Sequence, residues 1–221
     1  MTTPLLANVF LHYVLDLWFS HRVRRQCRGE AYYYRFADDF LACFQYQEDA
    51  VRFRQVLGER LEAFGLKLAE DKTHCIEFGR FARENARKRG EKPKEFTFLG
   101  FTHYCGKTKN GYFKVKRRTS RKKLGQSLSK FKDWAKKSRS VLSKGEMIRA
   151  ARLRVMGHLS YYAITDNTDR CRFYVHRTER ILFKWLNRKS QRRAYTWDTF
   201  VRTLARIGWP TSKVRVDLNQ C

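Results

Sequence analysis

Two adjacent carboxylates, Asp38 and Asp39, stand between two short aromatic-rich runs, Ala31-Tyr32-Tyr33-Tyr34-Arg35-Phe36 and Phe40-Leu41-Ala42-Cys43-Phe44. Runs of this kind, interrupted by a polar pair, predict a β-hairpin with the acids at its tip. Two like charges within a few ångströms repel unless a cation neutralises them, so a divalent metal is their natural partner. Hard carboxylate oxygens favour Mg²⁺. A pair of such ions about 3.5 to 4 Å apart can activate a hydroxyl and stabilise a leaving phosphate in nucleotidyl transfer. The competing reading is an Asp-Asp turn that merely suits solvent and local backbone bonding, and spacing alone leaves both open.

A second chemistry is written in the charge. The 221 residues hold 48 Lys and Arg against 21 Asp and Glu, a formal net charge of +27. An excess of that size points to a polyanionic partner, with nucleic acid first among candidates. Residues 1–78 hold 10 basic and 11 acidic side chains, whereas residues 79–221 hold 38 and 10, so the whole excess lies in the later part. There Arg117, Arg118, Arg121, Lys122 and Lys123 are expected to open one helix, and Arg188, Lys189, Arg192 and Arg193 to close another, as candidate phosphate contacts. Trp134, Tyr161, Tyr162, Trp185 and Tyr195 are interleaved with these charges. That mixture suits folded RNA with splayed bases, although helical spacing assigns at least half of these rings to core packing.

The elements that must position these groups follow from periodicity. Thr2-Thr3-Pro4 opens an almost wholly apolar stretch from Leu5 to Phe19, which predicts a buried helix lying under a sheet. Ala50, Phe53, Leu57, Leu61 and Phe64 share a face of a helix over 48–64 that Gly65 ends. Residues 66–78 suit a short strand broken by a turn, and residues 80–94 an exposed insertion. Runs over 96–104 and 111–116 form a hairpin through Asn110-Gly111. From Arg117 the period becomes helical, with a capping box at Ser143 and Glu146, Asn167 or Asp169 as the next cap, and a last helix over 196–207 stopped by Gly208-Trp209-Pro210. The fold class is α+β, antiparallel hairpins with packed helices over 1–116, then an all-α basic bundle over 117–210 and a tail over 211–221.

Six cysteines, never two within three residues, spell neither a zinc site nor a redox pair, and six histidines form no metal-binding cluster. No apolar window reaches about 18 residues and no secretory leader is legible, so a cytoplasmic protein without a membrane partner is expected.

Tyr34-Arg35-Phe36-Ala37-Asp38-Asp39-Phe40 resembles the aromatic-Ala-Asp-Asp signature of reverse transcriptases, with Phe where Tyr is usual. Pro4-Leu5-Leu6-Ala7-Asn8, followed by Leu11-His12 and Leu15-Asp16, is similar to the helix preceding that signature in group II intron reverse transcriptases. Gly65-Leu66-Lys67-Leu68-Ala69-Glu70-Asp71-Lys72-Thr73 and Phe98-Leu99-Gly100-Phe101 resemble their next two blocks. Gly157-His158-Leu159-Ser160-Tyr161-Tyr162 and Trp185 to Arg193 look like the family's thumb, or maturase domain X. The resemblance therefore implies a partial polymerase palm followed by a helical thumb, and RNA-directed DNA synthesis with a maturase role.

By position, Asp38 would be a metal ligand and Asp39 its more peripheral neighbour. Lys72 would face the incoming triphosphate, against a reading as a solvated turn lysine. Phe98, Leu99, Gly100 and Phe101 would lie near the primer terminus while also serving as strand core. Template RNA, a DNA primer and, when the site is complemented, deoxynucleotides are the implied partners. The family's fingers, its first catalytic Asp and its Pro-Gln-Gly segment have no counterpart here, so the two-Mg²⁺ site is expected to be incomplete and a separate N-terminal fragment is a candidate partner. Asp16 matches a helical position of the family and reads as structural. The alternative is a non-catalytic RNA-binding maturase fragment that assists intron folding and splicing.

Overall fold

Pro4 fixes the first turn of helix α1 (Pro4–Leu11), and the helical path continues through two π-helical turns, His12–Asp16 and Phe19–Val23, into the short α2 (Arg24–Gln26). The structure, a computed structural model, describes residues 4–189 and 194–218. Its chain forms two compact units, Met1–Lys94 and Glu95–Cys221.

In the first unit, strands β1 (Ala31–Phe36) and β2 (Asp39–Phe44) pair antiparallel and pack with helix α3 (Gln47–Glu62). Val14, Leu15, Phe19 and Val23 meet Ala31, Phe53, Leu57 and Leu61 in one buried cluster. The Phe19 ring stacks on Tyr33 at 5.0 Å and meets Phe53 edge-on at 5.6 Å, arrangements favoured by the aromatic quadrupole.

The expected burial of the whole first helix is corrected: no residue of α1 is buried, and Leu5 is 73% exposed. A two-stranded hairpin is too narrow to cover both ends of that run, so burial begins at Val14. Helix α3 ends near its expected place, with Gly65 left-handed at φ 69°.

The strand expected over 66–78 is overturned, while the segment over 80–94 is largely exposed as expected but holds a helix. Residues 66–78 contain no strand among the described residues. Instead the Ala69 carbonyl accepts from both the amide and the hydroxyl of Thr73, at 3.0 and 2.9 Å, closing a turn. Residues 80–94 include helix α4 (Ala82–Lys88), whose Ala82 and Ala86 are buried and which Glu77 pins through Asn85 and Arg89.

The second unit begins with a three-stranded antiparallel sheet, β3 (Phe96–Phe98), β4 (Phe101–Lys107) and β5 (Phe113–Thr119). Helices α5 (Arg121–Val141), α6 (Lys144–Tyr162), α7 (Thr168–Asn187) and α8 (Trp197–Arg206) follow. Ser143 and Glu146 make the expected capping box, and Thr196 makes another with Thr199. Met147, Ala151, Val155 and Leu159 of α6 meet Leu182 and Leu186 of α7 and Phe200 of α8 in the core.

The fold is mixed α and β, as the sequence indicates, but a boundary at 116/117 falls inside this second unit. Its sheet is tied to its helices through Asn167, 1% exposed, whose side chain accepts from the Thr119 amide at 2.8 Å and donates to the Thr119 hydroxyl and the Tyr162 carbonyl, both at 2.7 Å.

Candidate active site

Phe36 and Asp39 form the closing pair of the β1–β2 hairpin, leaving Ala37 and Asp38 as a two-residue turn. Ala37 is left-handed, φ 53°, a conformation that costs a residue other than glycine on the order of 1 kcal/mol or more. Strand alternation turns Ala31, Tyr33 and Arg35 inward and leaves Tyr32, Tyr34 and Phe36 exposed on the other face. Asp39, opposite Phe36, shares that outer face. Asp38 and Asp39 are both exposed, and neither carboxylate has a hydrogen-bond or ion-pair partner among the described residues.

Directly behind the turn, Arg35 holds three segments together. Its Nε and Nη2 donate to the two carboxylate oxygens of Asp16, each at 2.7 Å. Its Nη1 donates to the Asn8 side-chain oxygen at 3.0 Å and to the Ala37 carbonyl at 2.8 Å. The Arg35 side chain is only 10% exposed. Its hydrogen bonds hold the Asp16 carboxyl below its ordinary value, against the opposing effect of burial. Asp16 is thus bound bidentately, with His12 Nδ1 3.2 Å away on one oxygen, in agreement with its structural reading. An open groove of about 370 Å³ beside this pair is lined by Asp16, Ser20, Arg24, Tyr34 and Arg35, and neither Asp38 nor Asp39 borders it.

The sequence reading missed Arg35. An inward-facing cation on a strand signals that an anion must lie within reach but not which one.

Lys72 lies exposed in the turn that starts at Ala69, and no hydrogen bond or ion pair joins it to Asp38 or Asp39 among the described residues. Phe98, Leu99, Gly100 and Phe101 belong to the second unit, where Leu99 (φ 50°) and Gly100 (φ 81°) form a two-residue hairpin turn with both residues left-handed. The Leu99 carbonyl accepts from the Tyr161 hydroxyl at 2.8 Å, and the Gly100 carbonyl from the Ser120 amide at 2.9 Å. A Cβ at Gly100 would stand 2.9 Å from the Tyr162 hydroxyl, so only glycine lets the turn sit this close. The Phe101 ring stacks on Tyr161 at 5.7 Å. This segment packs as a docked turn on α6.

The expected phosphate contacts divide. Arg117 and Arg118 lie on β5 rather than at the start of a helix, because Ser120, not an earlier residue, caps α5 by accepting from the Lys123 amide. Arg118 is paired with Glu95 at 2.6 Å and lies over the Tyr104 ring. Arg121, Lys122 and Lys123 are exposed with no carboxylate partner among the described residues. Arg188 is exposed and stacks over Trp185 at 5.7 Å. Lys189 is engaged elsewhere, its ammonium donating to the Arg139 and Leu142 carbonyls at the end of α5. Arg192 and Arg193 lie outside the described residues. Of the interleaved aromatics, Trp185 is buried and Trp134, Tyr162 and Tyr195 pack against the core, while Tyr161 is 53% exposed.

The donors at the hairpin tip suit Mg²⁺ in kind, being hard and free of competing partners, but not in number. No cluster of three or more metal-ligating side chains occurs among the described residues. Among those residues, too, no helix is long and apolar enough to cross a membrane. A search of curated proteins finds no match to the chain. Residues 1–103, a little under half of the chain and including the whole β1–β2 hairpin, match the family model of the reverse transcriptase (RNA-dependent DNA polymerase).

Proposed function

We propose that this chain is the carboxylate-bearing and RNA-holding portion of a reverse transcriptase of group II intron type, with a maturase role in intron splicing. The observation that carries the reading is the pair of exposed, unpartnered carboxylates on a left-handed hairpin turn, inside the segment that matches the reverse transcriptase family. Asp38 and Asp39 would hold Mg²⁺ together with at least one further carboxylate that the described residues do not supply. When bound, such ions supply activation of the primer hydroxyl and stabilisation of the leaving pyrophosphate. Lys72, exposed on its turn, is a mobile cation suited to an incoming triphosphate. The Phe98–Phe101 turn, docked on α6, would offer a shaped surface to a primer terminus. Arg121, Lys122, Lys123 and Arg188 are free to meet RNA phosphates, with Arg117 and Arg118 at the edge of that set.

A second reading, a non-catalytic RNA-binding fragment that assists intron folding, is favoured by the shortage of metal ligands and the cationic second unit. Titration with Mn²⁺, followed by paramagnetic broadening of backbone amides, separates the two. The polymerase reading predicts selective broadening over residues 36–40 that Asp38→Ala removes, and broadening elsewhere or nowhere contradicts it. Preference for structured intron RNA over random RNA of equal length tests the maturase assignment.

A further inference from the structure

Arg35, on β1, reaches both the helical segment before the hairpin and the turn after it: Asn8, Asp16 and the Ala37 carbonyl all accept from it. The turn it touches is a strained one, since Ala37 holds φ 53° without being glycine. Such conformations persist where the surroundings over-determine them, and here the over-determining contact is visible. The Ala37 carbonyl is the acceptor, so the peptide plane joining Ala37 to Asp38 is held by a guanidinium that is itself fixed from two other sides. A two-residue turn has few soft dihedrals, and pinning that plane sets the direction in which Asp38, and Asp39 next to it, leave the strand.

We propose that Arg35 is the positioning residue of the carboxylate tip: anchored on Asp16 and Asn8, it holds the Ala37 carbonyl and thereby keeps the left-handed turn that aims Asp38 and Asp39. This rests on the metal-binding reading of those carboxylates for its consequence, though not for its geometry. Asp16 acts at one remove, by fixing the guanidinium. An arginine is required rather than a lysine because three acceptors in different directions call for the planar fork with its five N–H groups, which a single ammonium on a flexible stem does not reproduce.

The test uses the full chain and two readouts. Nuclear Overhauser contacts between the Ala37 amide and its own Hα report the sign of φ, and Mn²⁺ broadening at residues 38 and 39 reports metal affinity. Wild type should show the strong intraresidue contact of a left-handed residue. Arg35→Lys and Asp16→Asn should both lose it while the Phe19, Phe53 and Leu57 signals stay in place, and Mn²⁺ binding should weaken by about 10- to 100-fold, the loss typical of a missing outer-shell partner. Adding Ala37→Gly to either variant should recover most of the Mn²⁺ affinity, because glycine takes the left-handed conformation without being held there. A merely structural role for Arg35 would not be rescued at an exposed turn. The proposal is overturned if Ala37 keeps its φ in both variants, or if Ala37→Gly restores nothing. Absence of Mn²⁺ broadening in wild type would instead count against the metal reading, and the Ala37 signal would still decide the role of Arg35.

Discussion

Asp38 and Asp39 are exposed and without partners among the described residues, whereas Asp16 has both oxygens bound by Arg35, and this difference decides which acids remain available to a cation. It also separates the effects of removing them. Asp38→Ala should leave stability within about 0.5 kcal/mol of wild type, since an exposed side chain without partners holds nothing in place. Asp16→Ala should cost about 1 to 3 kcal/mol, because it leaves a mostly buried guanidinium without its anion. Urea unfolding of the two variants checks both values, and equal losses would contradict the division. At this scale the hairpin tip was legible because aromatic runs flanking two acids have few other solutions. The role of Arg35 was not, because its partners Asn8 and Asp16 lie 27 and 19 residues away and only the folded path of the helix brings them to the strand.

Helices that carry their own punctuation were the readable elements. The Ser143 and Glu146 box, and Gly65 and Gly208 in left-handed stops, at φ 69° and 65°, mark ends that local chemistry alone enforces. Elements without such punctuation were misread. Residues 66–78 have the residue types of a strand but close on themselves at Ala69. The run over 96–104 is cut by Leu99 and Gly100, a turn held by Tyr161, Tyr162 and Ser120, which lie far along the chain.

The half-buried His158 of α6 makes the stability of the fold depend on pH. The His158 ring stacks 3.6 Å from Tyr174, its Nε2 has no hydrogen-bond partner among the described residues, and burial pushes its pKa down to about 4. The unfolded chain takes up a proton near pH 6.5 and the folded one does not, so stability contributed by the neutral ring is lost as pH falls from about 6.5 to about 4. The full loss is on the order of 3 kcal/mol. Denaturant unfolding at pH 7 and pH 4.5 should show a drop that His158→Phe largely removes, and an unchanged pH slope in the variant would refute the assignment.

For the whole molecule the asymmetry of charge is the dominant physical fact. The unit Glu95–Cys221 holds 31 basic and 8 acidic residues, so it carries nearly all of the excess. RNA binding by the full chain should therefore fall steeply with salt, each neutralised phosphate contributing roughly −0.7 to −0.9 to the log-log slope. Replacing Arg121, Lys122 and Lys123 together by Gln should make that slope shallower by about 2, and a slope that does not change would remove these residues from the interface. Composition made this property legible from the start. What composition could not show is which cations are already engaged, and Lys189 on the end of α5 and Arg118 on Glu95 became apparent only with the fold.

RNA-templated extension of a DNA primer, with Mg²⁺ and deoxynucleotides, tests the central claim most directly. The chain alone should give no extension, since two carboxylates on one turn do not close a two-metal site. Joined, in cis or in trans, to a reverse transcriptase segment that brings a further carboxylate, it should extend the primer, and Asp38→Ala should abolish that extension while leaving RNA affinity within about twofold. Extension by the chain alone, or extension that survives Asp38→Ala in the complemented enzyme, would contradict the assignment of the hairpin tip as the metal-binding half of the site.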